Sequence, residues 1–142
     1  STVFPFFADP SNLDLLTPPW LRFRILTPVP IAMEVGSLID YRLRLHGIPI
    51  RWRTEITAFD PPYRFVDRQV RGPYHEWIHE HAFEEVDGHT IIIDNVRYAV
   101  PGGRIVQRFF VKRDLEKIFD YRHARIAERF PAPIPAPSGH GV

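Results

Sequence analysis

The sequence of 142 residues contains no cysteine, which excludes a disulfide framework and any metal site built on thiolates. A chain without disulfides suits a reducing compartment, so we expect a cytoplasmic location. No apolar run approaches the roughly 20 residues that a membrane-spanning helix needs. The N-terminus also lacks the basic, apolar and small-residue order of a signal peptide, so we expect neither a transmembrane segment nor a leader.

An excess of charge of one sign is also absent, since 18 Lys and Arg residues face 17 Asp and Glu residues. The net charge of +1 gives no electrostatic reason to expect nucleic acid or an anionic membrane as a partner. The chain has no nucleophile motif, no phosphate-binding loop and no glycine-rich dinucleotide turn. We therefore expect no cofactor.

The chain does have a series of alternating segments, in a composition that is 44% hydrophobic and 13% aromatic. Apolar and polar residues alternate with the period of two that indicates strands with one buried face. The six predicted strands span residues 20–27, 38–45, 50–59, 64–71, 74–84 and 90–100. Turn signals such as His46-Gly47, Gly72-Pro73 and Asp87-Gly88 separate them. Because the connections are short, we expect an antiparallel meander.

Helical patterns flank this sheet at both ends. The residues between Val3 and Leu16 predict two short helices or one broken helix, which the following prolines end. From Ile105 to Phe130 the apolar residues recur near the helical period of 3.6, which predicts one long amphipathic helix, either continuous or broken once near Val111. The predicted fold class is α+β, with residues 1–130 as one domain whose curved sheet wraps the C-terminal helix. Residues 131–142 are rich in proline, and we expect an extended, disordered tail.

Short helices, a six-stranded meander and one long C-terminal helix follow one another in the order of the helix-grip fold. Local phrases strengthen this likeness: LTPPWLRF at 16–23, DYRL at 40–43, WRTEI at 52–56, FVD at 65–67, GPY at 72–74, WIHEHAF at 77–83 and DNVRY at 94–98. With these phrases the chain resembles bacterial ligand-binding proteins of the START/Bet v 1-like superfamily, also called SRPBCC. Within it, the chain is similar to the polyketide cyclase/dehydratase-like and CoxG-like branch. The resemblance covers residues 3–130 and implies the fold, which hosts many functions.

The resemblance also implies a β-strand ahead of the first helix, whereas this sequence starts where that helix should begin. A sheet of six strands without the seventh would leave backbone donors and acceptors unpaired along one edge. We expect either a segment upstream of residue 1 that supplies the strand, or a homodimer contact that covers the edge.

The segment from His75 to Phe83 places ionisable groups on a face that should be buried. Alternation puts His79 and His81 on the same face as Trp77 and Phe83, and a face with these aromatic residues is not expected to meet solvent. We therefore predict that both histidines point inward.

Neighbouring predicted strands carry polar residues in the same phase, because Asp67 and Gln69 alternate with Phe65 and Asp94 alternates with Ile92. A lone buried polar group costs about 1–3 kcal/mol, so these groups need partners. Three interpretations are open: a satisfied polar network, the polar lining of a ligand pocket, or a metal site or acid–base pair. The spacing of the two histidines fixes no third metal ligand, and we predict no metal site.

We predict that the domain binds a small hydrophobic or amphipathic molecule, such as a lipid, a polyketide or an aromatic compound, between the sheet and the C-terminal helix. The predicted pocket residues are Tyr41, Trp52, Asp67, Gln69, Trp77, His79, His81, Phe83, Tyr98 and Phe119. One alternative is a cyclase, dehydratase or hydrolase in which His79 or His81 works with Asp67 or Asp94 as an acid–base pair.

A second alternative is a protein-interaction module that uses the sheet edge or a basic outer face. Four arginines fall on paired strands, namely Arg42, Arg44, Arg51 and Arg53. The acidic residues Asp40 and Glu55 lie on the same strands. For these side chains we predict solvated cross-strand ion pairs rather than a binding site for an acidic partner.

Overall fold

The computed structural model of the protein describes residues 3–102 and 111–131.

Two tight turns of the sheet have a backbone conformation that their residues adopt readily. His46-Gly47 and Asp87-Gly88 each join two strands, and all four residues have positive φ angles. Positive φ at both central residues is typical of the type I′ turn, whose twist matches that of paired strands. Glycine at the second position adopts this backbone without a steric cost.

The strands form one antiparallel sheet in which each strand pairs with the next in sequence, which confirms the predicted meander. Their bounds are β1 Arg24–Ile25, β2 Leu38–Leu45, β3 Ile48–Asp60, β4 Arg64–Arg71, β5 Glu76–Val86 and β6 His89–Ala99. Against β4, the register of β3 shifts between Arg53 and Thr54 and again between Ile56 and Ala58. Such irregularities bend a strand and increase its twist, so they contribute to the curvature of the sheet.

The first strand is much shorter than the sequence predicted, whereas the other five agree within two residues at each end. Residues 20–27 alternate, yet only Arg24 and Ile25 pair with β2. Pro19–Leu21 forms a 3₁₀ turn, and Arg22 after it has a left-handed φ of 47°. Proline has no N–H for the strand ladder, and a left-handed residue interrupts an extended chain, so the strand begins only beyond Arg22.

The helices lie where the sequence placed them. The two short helices are α1 Val3–Phe7 and α2 Leu13–Leu16, and the C-terminal helix is α3 Lys112–Arg129. The predicted first turns of that helix, residues 105–110, lie outside the described residues, as do residues 132–142 of the predicted tail. Within the described ranges, none of the helices combines the length and the apolar character needed to cross a membrane. The order of elements confirms the predicted α+β helix-grip architecture.

Two clusters of buried side chains join the helices to the inner face of the sheet. The phenylalanine cluster is formed by α1, α2 and the strands, with Phe4, Phe6, Phe7, Leu16, Phe65 and Phe83 as its buried members. The tryptophan cluster brings Leu115 of α3 onto Trp52 and Trp77, with Leu21 and Leu43 beside them. Along β5, Trp77 belongs to one cluster and Phe83 to the other. His79 and His81 therefore lie at the junction between the two clusters.

The outer face of the sheet carries arginines with an ion-pair partner and arginines that have none among residues 3–102 and 111–131. Arg53 donates two hydrogen bonds to Asp40 across β2 and β3, at 2.8 and 3.1 Å, which is one of the predicted cross-strand ion pairs. By contrast, Arg24, Arg42 and Arg51 are direct neighbours on β1, β2 and β3. Like charges directly opposite one another destabilise a sheet, so this row of three lowers the stability of the fold.

Replacing the middle arginine of the row should therefore stabilise the protein. We expect Arg42→Glu to raise the free energy of unfolding by about 0.5–1 kcal/mol at low ionic strength, because one carboxylate replaces two repulsions by two attractions. Urea unfolding at low and high salt measures the gain and its screening. The matched control is Arg97→Glu, because Arg97 lies on the same outer face but already pairs with Glu76 at 2.9 Å. A gain in both variants, or in neither, would contradict the repulsion argument.

Candidate ligand-binding site

The register of three neighbouring strands brings the predicted inner polar residues together. Asp67 of β4 is the direct partner of His79 on β5, and His81 of β5 is the direct partner of Asp94 on β6. Asp67, His79 and His81 alternate in phase with buried aromatic residues of their own strands, and His79, His81 and Asp94 are themselves buried. The arrangement therefore follows from the period of two in the strands, and the prediction that the histidines point inward agrees with the structure.

Each histidine of the pair donates to a different carboxylate. The distance from His79 Nε2 to Asp94 Oδ1 is 2.8 Å, and that from His81 Nε2 to Asp67 Oδ2 is 2.6 Å. The two imidazole rings stack on each other with 3.7 Å between their centroids. On its other side the His81 ring stacks on Phe65, at 4.2 Å. Stacking therefore fixes the orientation of the two ring planes, and the hydrogen bonds fix how each ring is rotated within its plane.

Helix α3 adds a cation to this cluster, because Arg122 reaches down from the helix to the sheet. Its Nε and Nη2 donate to the two oxygens of Asp94, at 3.1 and 3.3 Å, and Nη2 also donates to His81 Nδ1 at 3.3 Å. The neighbouring His123 places Nε2 3.5 Å from Asp94 Oδ2. The sequence prediction did not include either residue. The available signal was an arginine at a position that belongs to the apolar stripe of the helix, four residues after Ile118.

These contacts define the protonation of His81. Arginine can only donate, so His81 Nδ1 is an acceptor and the proton of the neutral ring sits on Nε2, which faces Asp67. Burial lowers the pKa of His81 to about 4, with the charges of His79 and Arg122 acting in the same direction against the pull of Asp67. His81 is therefore a neutral imidazole at neutral pH.

The two carboxylates remain ionised despite their burial. Burial alone would raise the pKa of Asp94, but the hydrogen bonds from His123 and His79 and the charge of Arg122 outweigh it and hold the pKa well below its usual range. Burial would likewise raise the pKa of Asp67, and the hydrogen bond from His81 together with nearby positive charge lowers it instead. Each ion is thus held in the interior by specific partners.

Two cavities open between the inner face of the sheet and the helices. The larger, of about 150 Å³, lies between the sheet and α3; its lining includes Leu43, Trp52, Trp77, Leu115, Ile118 and Phe119. The smaller, of about 40 Å³, lies beneath α1 and α2 and is lined by Phe6, Phe7, Ile39, Ile56, Asp67 and His81 among others. Both share four lining residues, namely Leu13, Leu16, Tyr41 and Arg122. The walls are mainly apolar, and the polar cluster lies where the two cavities meet.

Seven of the ten predicted pocket residues line these cavities. Five line the larger one, namely Tyr41, Trp52, Trp77, His79 and Phe119, and Tyr41, Asp67 and His81 line the smaller one. The catalytic candidate Asp94 lies behind the histidines, against Arg122.

The other three predicted pocket residues lie elsewhere. Phe83 is buried in the phenylalanine cluster, and Tyr98 packs against the tryptophan cluster. Gln69 has the inward phase of Asp67, but its side-chain amide donates to the carbonyl of Tyr74 at 2.7 Å and accepts from the N–H of Tyr74 at 3.0 Å. A Cβ at Gly72 would lie 2.5 Å from Gln69 Oε1, so the glycine makes room for this contact. Gln69 is therefore part of the β4–β5 turn and not of the cavity wall.

Asp67, His79 and His81 each offer one potential metal ligand, and these atoms lie within 4.8 Å of one another. All three side chains already take part in the hydrogen bonds and stacking described above. The guanidinium of Arg122, 3.3 Å from His81, also adds a positive charge next to the position that a cation would occupy. The arrangement therefore supports a polar network more directly than a metal centre.

Solved structures share this architecture. Protein Ms6760 from Mycobacterium smegmatis matches with a TM-score of 0.64 at 19% identity, over 90% of this chain and 81% of its own. Major latex-like protein 151 from Panax ginseng matches with a TM-score of 0.65 at 14% identity, over 92% of this chain and 88% of its own. Ara h 8.0201 matches with a TM-score of 0.59 at 18% identity, over 87% and 88% of the two chains.

At these identities the likeness is one of fold. No protein-family model matches the chain, and no curated protein matches it. The chain has the helix-grip fold of Bet v 1-like proteins, which confirms at the level of the fold the superfamily resemblance seen in the sequence.

The buried neutral imidazole of His81 makes stability dependent on pH. Its pKa is about 4 in the folded protein against 6.5 for an ordinary histidine, so the unfolded chain takes up a proton that the folded chain refuses. We expect the free energy of unfolding to fall as the pH drops through this window, by on the order of 3 kcal/mol from His81. Asp67 and Asp94, whose pKa values are lowered, add their own loss only nearer to and below 3.8.

Urea unfolding at several pH values across this window measures the slope, and His81→Gln provides the comparison. The glutamine amide reaches the position of Nε2, so it can still donate to Asp67, and it does not titrate. This variant should therefore show a flatter dependence above pH 4 even if it is less stable throughout. An equal slope in the two proteins would assign the acid sensitivity to another group.

Proposed function

We propose that the protein binds a small hydrophobic or amphipathic molecule in the space between the sheet and α3. The observation that carries this proposal is the pair of apolar cavities that meet at the cluster of Asp67, His81 and Arg122. Apolar walls with a few convergent polar groups are the usual form of a small-molecule site. The fold that the chain shares with Bet v 1-like proteins is consistent with this reading.

The two parts of the site would act differently on such a molecule. Removing apolar ligand surface from water stabilises the complex by about 25 cal/mol per Å², so the aliphatic and aromatic walls would supply most of the affinity. The polar cluster would fix which end of the molecule enters first, because an unpaired polar group at that depth is costly. Lipids, polyketides and other aromatic compounds all have this combination of an apolar body and a polar end.

The hydrogen bonds of His81 argue against acid–base turnover at that residue. Both ring nitrogens of His81 are engaged, by Asp67 and by Arg122, and both oxygens of Asp94 accept from Arg122. A base must present an open lone pair to its substrate, and His81 has none without breaking the network. The pair of His81 and Asp67 is therefore better suited to rigidity than to proton transfer.

Native mass spectrometry of gently purified protein, followed by solvent extraction, would show whether a small molecule accompanies the chain. Titration with Nile red, a neutral apolar dye, tests the cavity directly, since its emission rises in an apolar environment. We expect saturable binding of one dye per chain, and displacement of the dye by long-chain amphiphiles.

A matched pair of variants on α2 locates the bound dye. Leu13 lines both cavities, whereas Leu15 is 45% exposed and lines neither. We expect Leu13→Trp to fill the shared space and weaken dye binding by roughly tenfold or more, since about 1.4 kcal/mol corresponds to a factor of ten. Leu15→Trp should bind as the parent does. Equal affinities for both variants, or the absence of saturable binding to the parent protein, would refute the proposal.

A further inference from the structure

The polar cluster has a hydrogen-bonding capacity that can be counted atom by atom. In the described part of the chain, Arg122 uses Nε and Nη2, Asp94 uses both oxygens, and His81 uses both ring nitrogens. Asp67 uses Oδ2 to accept from His81. These groups satisfy one another and have little left for a ligand.

Three atoms of the same cluster keep their capacity. Among residues 3–102 and 111–131, none of His79 Nδ1, Asp67 Oδ1 and Arg122 Nη1 makes a hydrogen bond. In the same ranges, no side-chain nitrogen or oxygen that is fully buried lacks a partner, so these atoms retain contact with open space. His79 lines the larger cavity, whereas Asp67 and Arg122 both line the smaller one. In the smaller cavity, Asp67 Oδ1 is an anionic acceptor and Arg122 Nη1 is a cationic donor.

The hydroxyl of Tyr41 adds a third group at the same place. Tyr41 lines both cavities, and its oxygen lies 2.6 Å from Thr54 Oγ1, which also accepts from Trp52 Nε1 at 3.0 Å. A phenolic hydroxyl with one partner can form a second hydrogen bond as donor or acceptor. Burial, together with the charge of Asp67, raises the pKa of Tyr41, so the hydroxyl keeps its proton.

We propose that the polar end of the ligand is a neutral group that both donates and accepts hydrogen bonds, such as an alcohol or a phenol. This inference rests on the proposed function and narrows it. A hydroxyl can donate to Asp67 Oδ1 and accept from Arg122 Nη1, with Tyr41 as an additional partner. An aliphatic or phenolic alcohol with an apolar body therefore matches both the cluster and the cavity walls.

Charged head groups complement only half of the cluster. A carboxylate would be attracted to Arg122 but has no proton to donate to Asp67, whose negative charge it would meet at close range. An ammonium group would suit Asp67 but has no lone pair for Arg122 and would face its positive charge. In either case one charged group of the protein loses its access to water without gaining a partner, which is costly at low dielectric.

Three amphiphiles with the same tail test this selectivity, namely 1-decanol, decanoate and decylammonium, each titrated to displace Nile red at neutral pH. We expect decanol to bind at least roughly tenfold more tightly than either ion, which corresponds to the loss of one charged hydrogen bond. Decanoate or decylammonium binding as tightly as decanol would overturn the inference.

The variant Asp67→Asn assigns the effect to one atom. The asparagine oxygen can still accept from His81 Nε2, while its amide would present a donor to the cavity in place of an anionic acceptor. We expect decanoate affinity to rise roughly tenfold and decanol affinity to change less. Asp120→Asn, at an exposed position of α3, is the matched control and should leave the order of affinities unchanged.

A second variant keeps the test decisive if Asp67→Asn does not fold. Tyr41→Phe removes only the hydroxyl, and we expect it to weaken decanol binding several-fold more than Nile red binding. Unchanged selectivity in both variants would refute the assignment of the polar end. If Nile red fails to bind the parent protein at all, the proposed function itself fails, which is a different outcome from dye binding without the expected preference for decanol.

Discussion

The two-pronged contact between Arg122 and Asp94 is the interaction on which the interior depends. It joins the C-terminal helix to the last described strand and at the same time neutralises a buried carboxylate. Burying two ions costs several kcal/mol each, and full hydrogen bonding is needed to offset it. Here every oxygen of Asp94 has a partner. The imidazoles of His79 and His81 extend the same network towards Asp67, so the whole cluster is a coupled unit.

This network explains why space remains beside it. A polar group in the core can be satisfied only in a few directions, and the side chains around it cannot collapse onto it as aliphatic ones would. The aromatic clusters on either side, around Phe83 and around Trp77, are joined through this junction rather than merged. Cavities that border both an apolar wall and a fixed polar cluster are the result, and they favour ligands with the same division of character.

The strands and the inner polar residues could be predicted because both follow from local periodicity. A period of two places Asp67, His79, His81 and Asp94 on one face, and short connections make adjacent strands partners. Alternation placed Gln69 wrongly in the pocket, because it predicts the face of the sheet from which a side chain projects and not its hydrogen-bond partners. In the structure the Gln69 amide turns to the backbone of Tyr74. The prediction of the first strand was wrong at its start, where Pro19 and Arg22 impose turns on an alternating segment.

The contribution of α3 could not be read from local patterns. Which of its turns stands above which strand depends on how the whole helix docks, and the pairing of Arg122 with Asp94 spans 28 positions along the chain. An arginine in the apolar stripe of a helix indicates that it has a buried partner, but the sequence does not identify that partner. Tertiary geometry was needed to assign that partner, and with it the protonation of His81 and the atoms left open to the cavities.

The meander has a consequence for how the molecule forms. Because every strand pairs with its neighbour in sequence and two of the turns are type I′, the sheet consists of short-range hairpins that can zip together one after another with small loop-closure entropies. Helix α3, which closes the larger cavity, follows the last of these strands in the chain. The cavity therefore forms only when the chain is nearly fully folded. A ligand that occupies it would therefore stabilise the finished state and leave the early hairpins unaffected.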